Sequence, residues 1–505
     1  MRRVLAIVLV ASAAAMGPAE RVGAGSSFTF FGSGWGHGLG LSQWGAYGLA
    51  QQGWTSDQIL EHFYTGTKVV AASKPPTSLR IGLVQGKARV RLAAQGGDVA
   101  LLLGDAKTGD VVATVPEGKT WTVKVVDQKY RILDGSGQPV GSEVGGPSQN
   151  LYAVYADAGS IVRIPEAGHR YSRGFIEFNI YNCSSGCVLR LILAIDPELY
   201  LYGLGEVPAE WPKPALQAQA VAARSYAFAR AALGQNRSGC NCALYASSLD
   251  QVYAGFDKEA EPNGNRWVAA VNATNNRVIV YKGKVITAYY FSSSGGYTEN
   301  NENVWPGSPI PYLRGVCDPG DYTPANPNAV WQVTLSAEQV TNQLHLGIGT
   351  VTGFTNTVRG VSGRIITTVV RGEGGTAMIS GGTLRSLLDL SDDRVWVNAN
   401  RQVVGPIREK YDATGCRPGL PTSRQVGVAG GARQQFQHGA IFFKNGLGAH
   451  ELSGALLDFY QQQGGPGGSL GFPTSDVEKL ENGATRASFE QGTITCSPSG
   501  SCELS

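Results

Sequence analysis

No block of like charges stands out anywhere in this chain. Only 16% of its 505 residues are charged, and the net charge is +3. Without a basic stripe or an acidic tail, nucleic acid is excluded as the expected partner. Long apolar runs are missing too. The nearest approach is "VLAIVLVASAAAM" behind Arg2 and Arg3. At about a dozen residues it falls short of the roughly 20 that a membrane span needs. It reads as a secretory signal peptide cut after Ala19 or Ala24, taken here as residues 1–24. The expected mature chain is secreted and has no membrane span. Two catalytic signatures are also lacking: no G-x-S-x-G elbow for serine hydrolysis and no zinc motif for peptide-bond cleavage.

Glycine, by contrast, is abundant at 68 residues, well above a typical share of roughly 7%. Short Val/Ile/Thr/Tyr runs accompany it from Ser78 to about Ile164, among them "SLRIGLV", "ARVRLAA", "WTVKVV" and "IVRI". "GFIEFNIYNC" and "CVLRLILAIDPELYLYG" extend the strand pattern. The period then changes. "WPKPALQAQAVAARSYAFARAAL" repeats Leu216, Ala220, Ala223 and Ala227 at helical spacing, with its prolines at the start where a helix tolerates them. Its small side chains suit close packing on a neighbour. A short helix capped by Thr55 or Ser56 and another at "SAEQVTNQL" are expected. The fold class is therefore α+β and mostly strand, with the Ala215 to Leu233 helix against a sheet.

The eight cysteines fit an oxidising compartment. Cys183 with Cys187, and Cys496 with Cys502, are spaced to close hairpins. The pairing of Cys240, Cys242, Cys317 and Cys416 is open. The "CNC" at Cys240 is a poor metal half-site with no histidine near it, so no metal site is expected.

Beyond about Asn400 an internal repeat appears. "GLPTS" and "LGFPTS" are offset by 52 residues at their prolines, and "FQHGAIFF" and "FEQGTITC" by 53 at their phenylalanines.

Three clusters carry candidate chemistry. Glu206 lies in "GEVPAEWPKPALQ", in the turn before the alanine-rich helix, with Val207 and Trp211 beside it and helix N-terminal amides expected nearby. Burial would raise its pKa, as protonation of a glycosidic oxygen requires. The plainer alternative is a structural carboxylate capping the helix or paired with Arg224, itself read as a buried residue needing a partner. Tyr226 is a groove or packing residue. The second cluster is "GSGWGHGLGLSQWGAYGLA" at Gly32. Alternating Gly34, Gly36, Gly38 and Gly40 suit a strand approached by a backbone or a ligand, with His37 on the opposite face. Gln43 and Trp44 suit sugar binding, the ring stacking and the amide reading hydroxyls, and "WGAYGLA" begins a helix. A structural histidine with core tryptophans is the alternative. Third is "YYFSSSGGYTENNENVW", where Ser292, Ser293 and Ser294 either line a polar groove or form a solvated turn.

Together these clusters resemble the signature segments of the sporulation stage II protein D family, which includes amidase enhancers of the LytB type. The resemblance covers about Phe28 to Asp392. It implies a catalytic domain over 25–392, with a strand-rich subdomain at about 85–165. It also implies lytic transglycosylation of peptidoglycan glycan strands, without a cofactor, cutting the bond between N-acetylmuramic acid and N-acetylglucosamine to leave a 1,6-anhydro end. Glu206 aligns with the family's catalytic glutamate and Arg224 with its helix arginine. The same resemblance makes His37, Gln43, Trp44, Gln217, Tyr226 and the three serines substrate-binding candidates. Two departures stand out. The family often has lysine where this chain has Gln217. Its "GHG…SQWGA" segment usually closes the domain, whereas here it comes first, which implies a rearranged order with the segment returning to the same cleft. Residues 400–505 resemble LGFP repeats of secreted actinobacterial wall proteins and imply anchoring to a wall polymer. A non-catalytic enhancer that partners a cell-wall amidase, or a wall-binding protein with a dead site, are the rival expectations.

Overall fold

The computed structural model describes residues 27–157 and 159–505. The signal-peptide segment lies outside them. The fold is α+β, and among the described residues no helix is long and apolar enough to cross a membrane.

The strand-rich region forms two sheets over one core. The larger has seven strands. Its centre pairs Leu79–Lys87 with Val188–Ile195 and then Phe175–Tyr181, all antiparallel. The smaller has five, centred on Arg89–Gln95 beside Thr120–Val126. Alternation works as the sequence demands: Val90, Leu92 and Val123 from the small sheet and Phe178, Leu191 and Leu193 from the large one point into the same core.

Against these sheets lies a helical layer around Lys213–Ala232. Ala218, Ala220, Ala222 and Ala223 are buried on nearly every side of it. Small side chains let four neighbours approach one helix: Gln43–Gln51, Ser56–Phe63, Gly264–Ala273 and the strand Arg277–Tyr281. Thr55 caps the second of these with a complete capping box. Ser336 does the same for the helix at Ala337–Leu344.

The chain's first described strand, Ser27–Gly32, sits in the middle of a sheet between Trp331–Ser336 and Val395–Val397. Its Phe28 and Phe30 fill a second core with Val340, Val370 and Leu384. This first described strand is thus held by residues some three hundred positions later.

Beyond Gly405 the repeat is plain in three dimensions. The helices Gly405–Ala413 and Gly454–Gln462 each lie on an antiparallel sheet. Tyr411 stacks on Phe436 in the first unit and Tyr460 on Phe489 in the second. Pro421 bridges Phe436 as Pro473 bridges Phe489. The four disulfides are Cys183–Cys187, Cys240–Cys242, Cys317–Cys416 and Cys496–Cys502. Cys317–Cys416 ties the first repeat unit to the preceding region.

Several expectations need correction. "DPELYLY" is not strand: Asp196 caps a helix at Pro197–Tyr202, accepting from the Glu198 and Leu199 amides with proline in the first turn. The alternating glycines form no strand. Gly34, Gly36, Gly38 and Gly40 all take positive φ, between 72° and 135°, so the segment is an irregular loop rather than a pleated one.

Candidate active site

Glu206 lies on the loop between the Pro197–Tyr202 and Lys213–Ala232 helices. That loop is held by the segment at 252–254. Gly205 N–H donates to the Val252 carbonyl (3.0 Å) and Ala254 N–H to the Gly203 carbonyl (2.8 Å). The Val252 amide returns a bond to Glu206 Oε1 at 2.6 Å. Tyr290 Oη donates to the same oxygen at 3.1 Å. Behind it, Gln251 Nε2 donates to Tyr290 Oη (2.8 Å), and Tyr200 Oη donates to Gln251 Oε1 (3.2 Å). One carboxylate oxygen is therefore fixed by a short relay, Gln43 adds a further contact, and the carboxyl group lines the cavity. Amides of the following helix, expected near Glu206, do not bond it.

Burial raises the Glu206 pKa to about 7, against the opposing pull of the Val252, Tyr290 and Gln43 contacts. A carboxyl group poised near neutrality can give up a proton and take one back. The other carboxylate in the lining, Asp250, is differently placed. Tyr226 Oη donates to it (2.9 Å), Arg237 pairs with it at 2.6 Å, and the Tyr245 amide donates to it at 2.9 Å. With both oxygens bonded, it supports the wall rather than offering chemistry.

The cavity, about 450 Å³, is walled by Gln43, Glu206, Tyr226, Tyr289, Tyr290, Ser292 and His37, among others. Trp35, Trp305, Leu249 and Val252 form its rim and are among the most exposed large apolar side chains of the described residues. Ring faces at the mouth of a polar cavity suit a ligand with alternating apolar and hydroxylated faces. A second cavity of about 490 Å³ shares His37, Trp305 and Arg385 with the first, so the two form one groove.

The glycine-rich segment reaches this groove because it is bonded from both sides. Trp35 exchanges backbone hydrogen bonds with Ser293, and Leu41–Ser42 pairs parallel to Tyr290–Phe291. Gly36 is needed where it stands: a Cβ there would meet the Phe291 side chain at 2.6 Å, at a φ of 135°. Gly48, on the following helix, packs so tightly that a Cβ would lie 1.9 Å from the Gly320 carbonyl. His37 is neutral. Burial and the nearby Arg364 and Arg385 hold its pKa down at about 3, and its Nδ1 accepts from the Leu39 amide at 3.0 Å. It packs against Trp305, Phe291 and Tyr289 as a wall residue, not an acid.

Among the sequence candidates, Glu206, Gln43, His37, Tyr226 and Ser292 line one cavity. Others do not. Arg224 is fully enclosed; its guanidinium makes a bidentate pair with Glu198, both bonds 2.7 Å, and donates to the Arg277 and Val271 carbonyls. Gln217 lies seven residues before it, on the same helix face, and is absent from the lining. Trp44 packs between Tyr47 and Trp211. Ser293 and Ser294 are wholly buried and hydrogen-bond Asp321 and Asp318. That buried acid pair, whose pKa values burial pushes up, ties the 292–296 loop to the cap of the Gln43–Gln51 helix through Ser42. Sequence reasoning missed Gln219, whose amide oxygen takes a bond from Gln43 (3.4 Å), as well as Tyr290, Trp305 and Arg385. Gln219 and Tyr226 also stand seven apart, on the helix face turned toward the cleft; that spacing was the available signal.

Comparison with known proteins adds the following. Residues 188–281 match the family model described as Stage II sporulation protein (SpoIID), a span that includes Glu206 and the whole alanine-rich helix. Residues 419–468 match the LGFP repeat. The chain is 37% identical over 135 residues to the amidase enhancer of Bacillus subtilis, covering 27% of this chain and 16% of that one. It is 34% identical over 137 residues to stage II sporulation protein D of Bacillus amyloliquefaciens, covering 25% and 40%. The Bacillus subtilis protein of the same name is 31% identical over 137 residues. The chain thus spans well under half the length of these relatives.

Proposed function

We propose that this chain, which carries a Stage II sporulation protein domain and an LGFP repeat, is a secreted, wall-associated lytic transglycosylase acting on peptidoglycan glycan strands. The observation that carries the reading is Glu206 itself, a carboxyl group with a pKa near 7 that lines an aromatic-rimmed groove with no second free carboxylate in its lining. Hydrolytic glycosidases need a second free carboxylate, and Asp250 is not free. Intramolecular transfer needs only one group. Protonated Glu206 delivers its proton to the glycosidic oxygen as the bond to C1 of the muramic residue breaks. The carboxylate left behind takes the proton of that residue's C6 hydroxyl while the oxygen attacks C1, which closes the 1,6-anhydro ring. Val252 N–H and Tyr290 O–H, on the other oxygen, stabilise the carboxylate between the two steps. Trp35 and Trp305 offer faces for the sugar rings. Gln43, bonded to Gln219, presents an oriented amide to hydroxyl groups.

Four disulfides support an oxidising, extracytoplasmic setting, and the repeat supports attachment to the wall. Domain limits of 25–392 for the catalytic part and 400–505 for the repeats follow from the same reading.

The name of the Bacillus subtilis relative favours a second reading, a peptidoglycan-binding protein that stimulates a cell-wall amidase. One assay separates the two. Glu206→Gln should lose release of glycan fragments from purified walls in the transglycosylase reading. In the enhancer reading the same variant should still accelerate an added amidase as well as the wild type does.

A further inference from the structure

A cavity of about 750 Å³ lies apart from the Glu206 groove. It lies where the first repeat unit meets the region before it, with walls from Tyr297, the 357–361 turn, Trp396, Arg401 and the repeat's own Gly415–Thr422 loop, Gln437 and His438. Three arginines line it, Arg359, Arg401 and Arg417, and no aspartate or glutamate does.

Those charges are poorly answered. Arg359 donates only to the Gly363 and Val395 carbonyls and stacks on Trp396. Burial and the neighbouring Arg401 and Arg394 charges lower its pKa to about 9. Asp393, which pulls the other way, is already paired with Arg364. Arg401 is half-buried and makes no ion pair among the described residues. Arg417, itself exposed, pairs with the largely buried Glu451 at 3.2 Å, so the unanswered charge lies on Arg359 and Arg401. Like charges facing one partly desolvated space are unfavourable until an anion enters.

The second repeat unit shows what a filled arrangement looks like. There the loop amide of Phe472 donates to Glu490, and Glu490 also pairs with Lys444 of the first unit at 2.6 Å. In the first unit the corresponding loop amide, Leu420, donates to Gln437. The loop is held the same way, but a neutral amide stands where the second unit has a carboxylate, and Gln437 lines the same cavity as the three arginines. In the first unit the cavity therefore has arginines but no lining carboxylate.

We propose that this cavity binds an acidic sugar unit of a wall polysaccharide, its charge carried by a carboxylate or a phosphodiester. The volume suits one to a few sugar rings. Tyr297, Val361, Leu420 and Pro421 give apolar faces, and Thr357, Thr422, Gln437 and His438 give hydrogen-bonding groups. Cys416 lines the cavity and is bonded to Cys317, so its two walls are fixed together before a ligand arrives. The proposal rests on the reading that the repeats face the wall, and it is independent of Glu206.

The test is calorimetric titration of the mature chain with three probes: an oligogalacturonate, a glycerol-phosphate oligomer and neutral chitohexaose. At least one anionic probe should bind about tenfold more tightly than the neutral one, with affinity falling as salt rises. Arg401→Gln should weaken that binding about tenfold, the loss of one charge-assisted contact. Gln437→Glu should weaken it as much, by supplying the missing counter-charge from within; this change leaves the loop contact as it stands at Glu490. Glu206→Gln should leave it unchanged. Which anionic probe binds tells the carboxylate source from the phosphodiester. Equal binding of anionic and neutral probes, or indifference to both Arg401→Gln and Gln437→Glu, would overturn the proposal, as would loss of binding in Glu206→Gln. A failure of glycan cleavage would count against the transglycosylase reading alone.

Discussion

The proposed chemistry rests on a single carboxyl group, and its protonation sets two pH dependences. Glu206 is moved by burial from about 4.5 to about 7. The native state therefore binds its proton more tightly than the unfolded chain does. This stabilising contribution is complete below pH 4.5 and is lost as pH rises through 7. Each pH unit is worth about 1.4 kcal/mol, so ionisation removes of order 1–3 kcal/mol. Glu206→Gln should accordingly be more stable than the wild type above pH 7 and indistinguishable near pH 4, as denaturant melts at the two pH values would read. Cleavage should fall above pH 7 as the acid form is lost. Arg224 makes a contrasting case. Removing its partner with Glu198→Gln strands a buried cation and should cost about 3 kcal/mol. Activity lost with an unchanged unfolding midpoint would return Arg224 to the chemistry; activity lost in step with stability keeps it a structural residue.

At the scale of elements, the groove exists because two backbones come unusually close. The Gln43–Gln51 helix lies on the segment around Gly320, and Gly48→Ala should push them apart. Overpacking of this kind costs roughly 1–3 kcal/mol. Thermal melts and glycan release should both drop, since Gln43 opens the same helix. Much of this layer was legible. Alanine at helical spacing gave the Lys213–Ala232 helix to within two residues, the choice of Thr55 or Ser56 as a cap found the Ser56–Phe63 helix, and "SAEQVTNQL" is a helix as expected. Glu206 could be singled out because a carboxylate beside Trp211 and two prolines has few solvent-exposed explanations. What failed was long-range. A glycine alternating with larger residues looks the same whether it pleats or turns, and only the approach of Phe291 and Arg364 forces the positive φ at Gly36 and Gly38. The serines at 293 and 294 read as a groove because their partners, Asp318 and Asp321, lie more than twenty residues on. Arg224 and Glu206 share a neighbourhood in sequence but take separate partners, and the Arg224 pairing with Glu198 is not written in the spacing.

Over the whole molecule, the chain closes on itself twice. Its first described strand is the centre of a sheet completed by residues near 331 and 395, and its repeat module is tied back through Cys317–Cys416 across 99 residues. A crosslink over so long a loop is worth about 2–4 kcal/mol. The double variant Cys317→Ser, Cys416→Ser should melt lower and release a C-terminal fragment on limited proteolysis while keeping glycan cleavage. The repeat unit would then be a tether to the wall rather than part of the groove. The central claim is that Glu206 alone serves as acid and then base. Mass spectrometry of purified glycan strands, with and without stem peptides, after incubation with wild type and Glu206→Gln, tests it most directly. The account predicts 1,6-anhydro-muramic ends, lighter by one water than hydrolysed ends, from the wild type only. Reducing ends from the wild type, or anhydro ends that persist in Glu206→Gln, would contradict it.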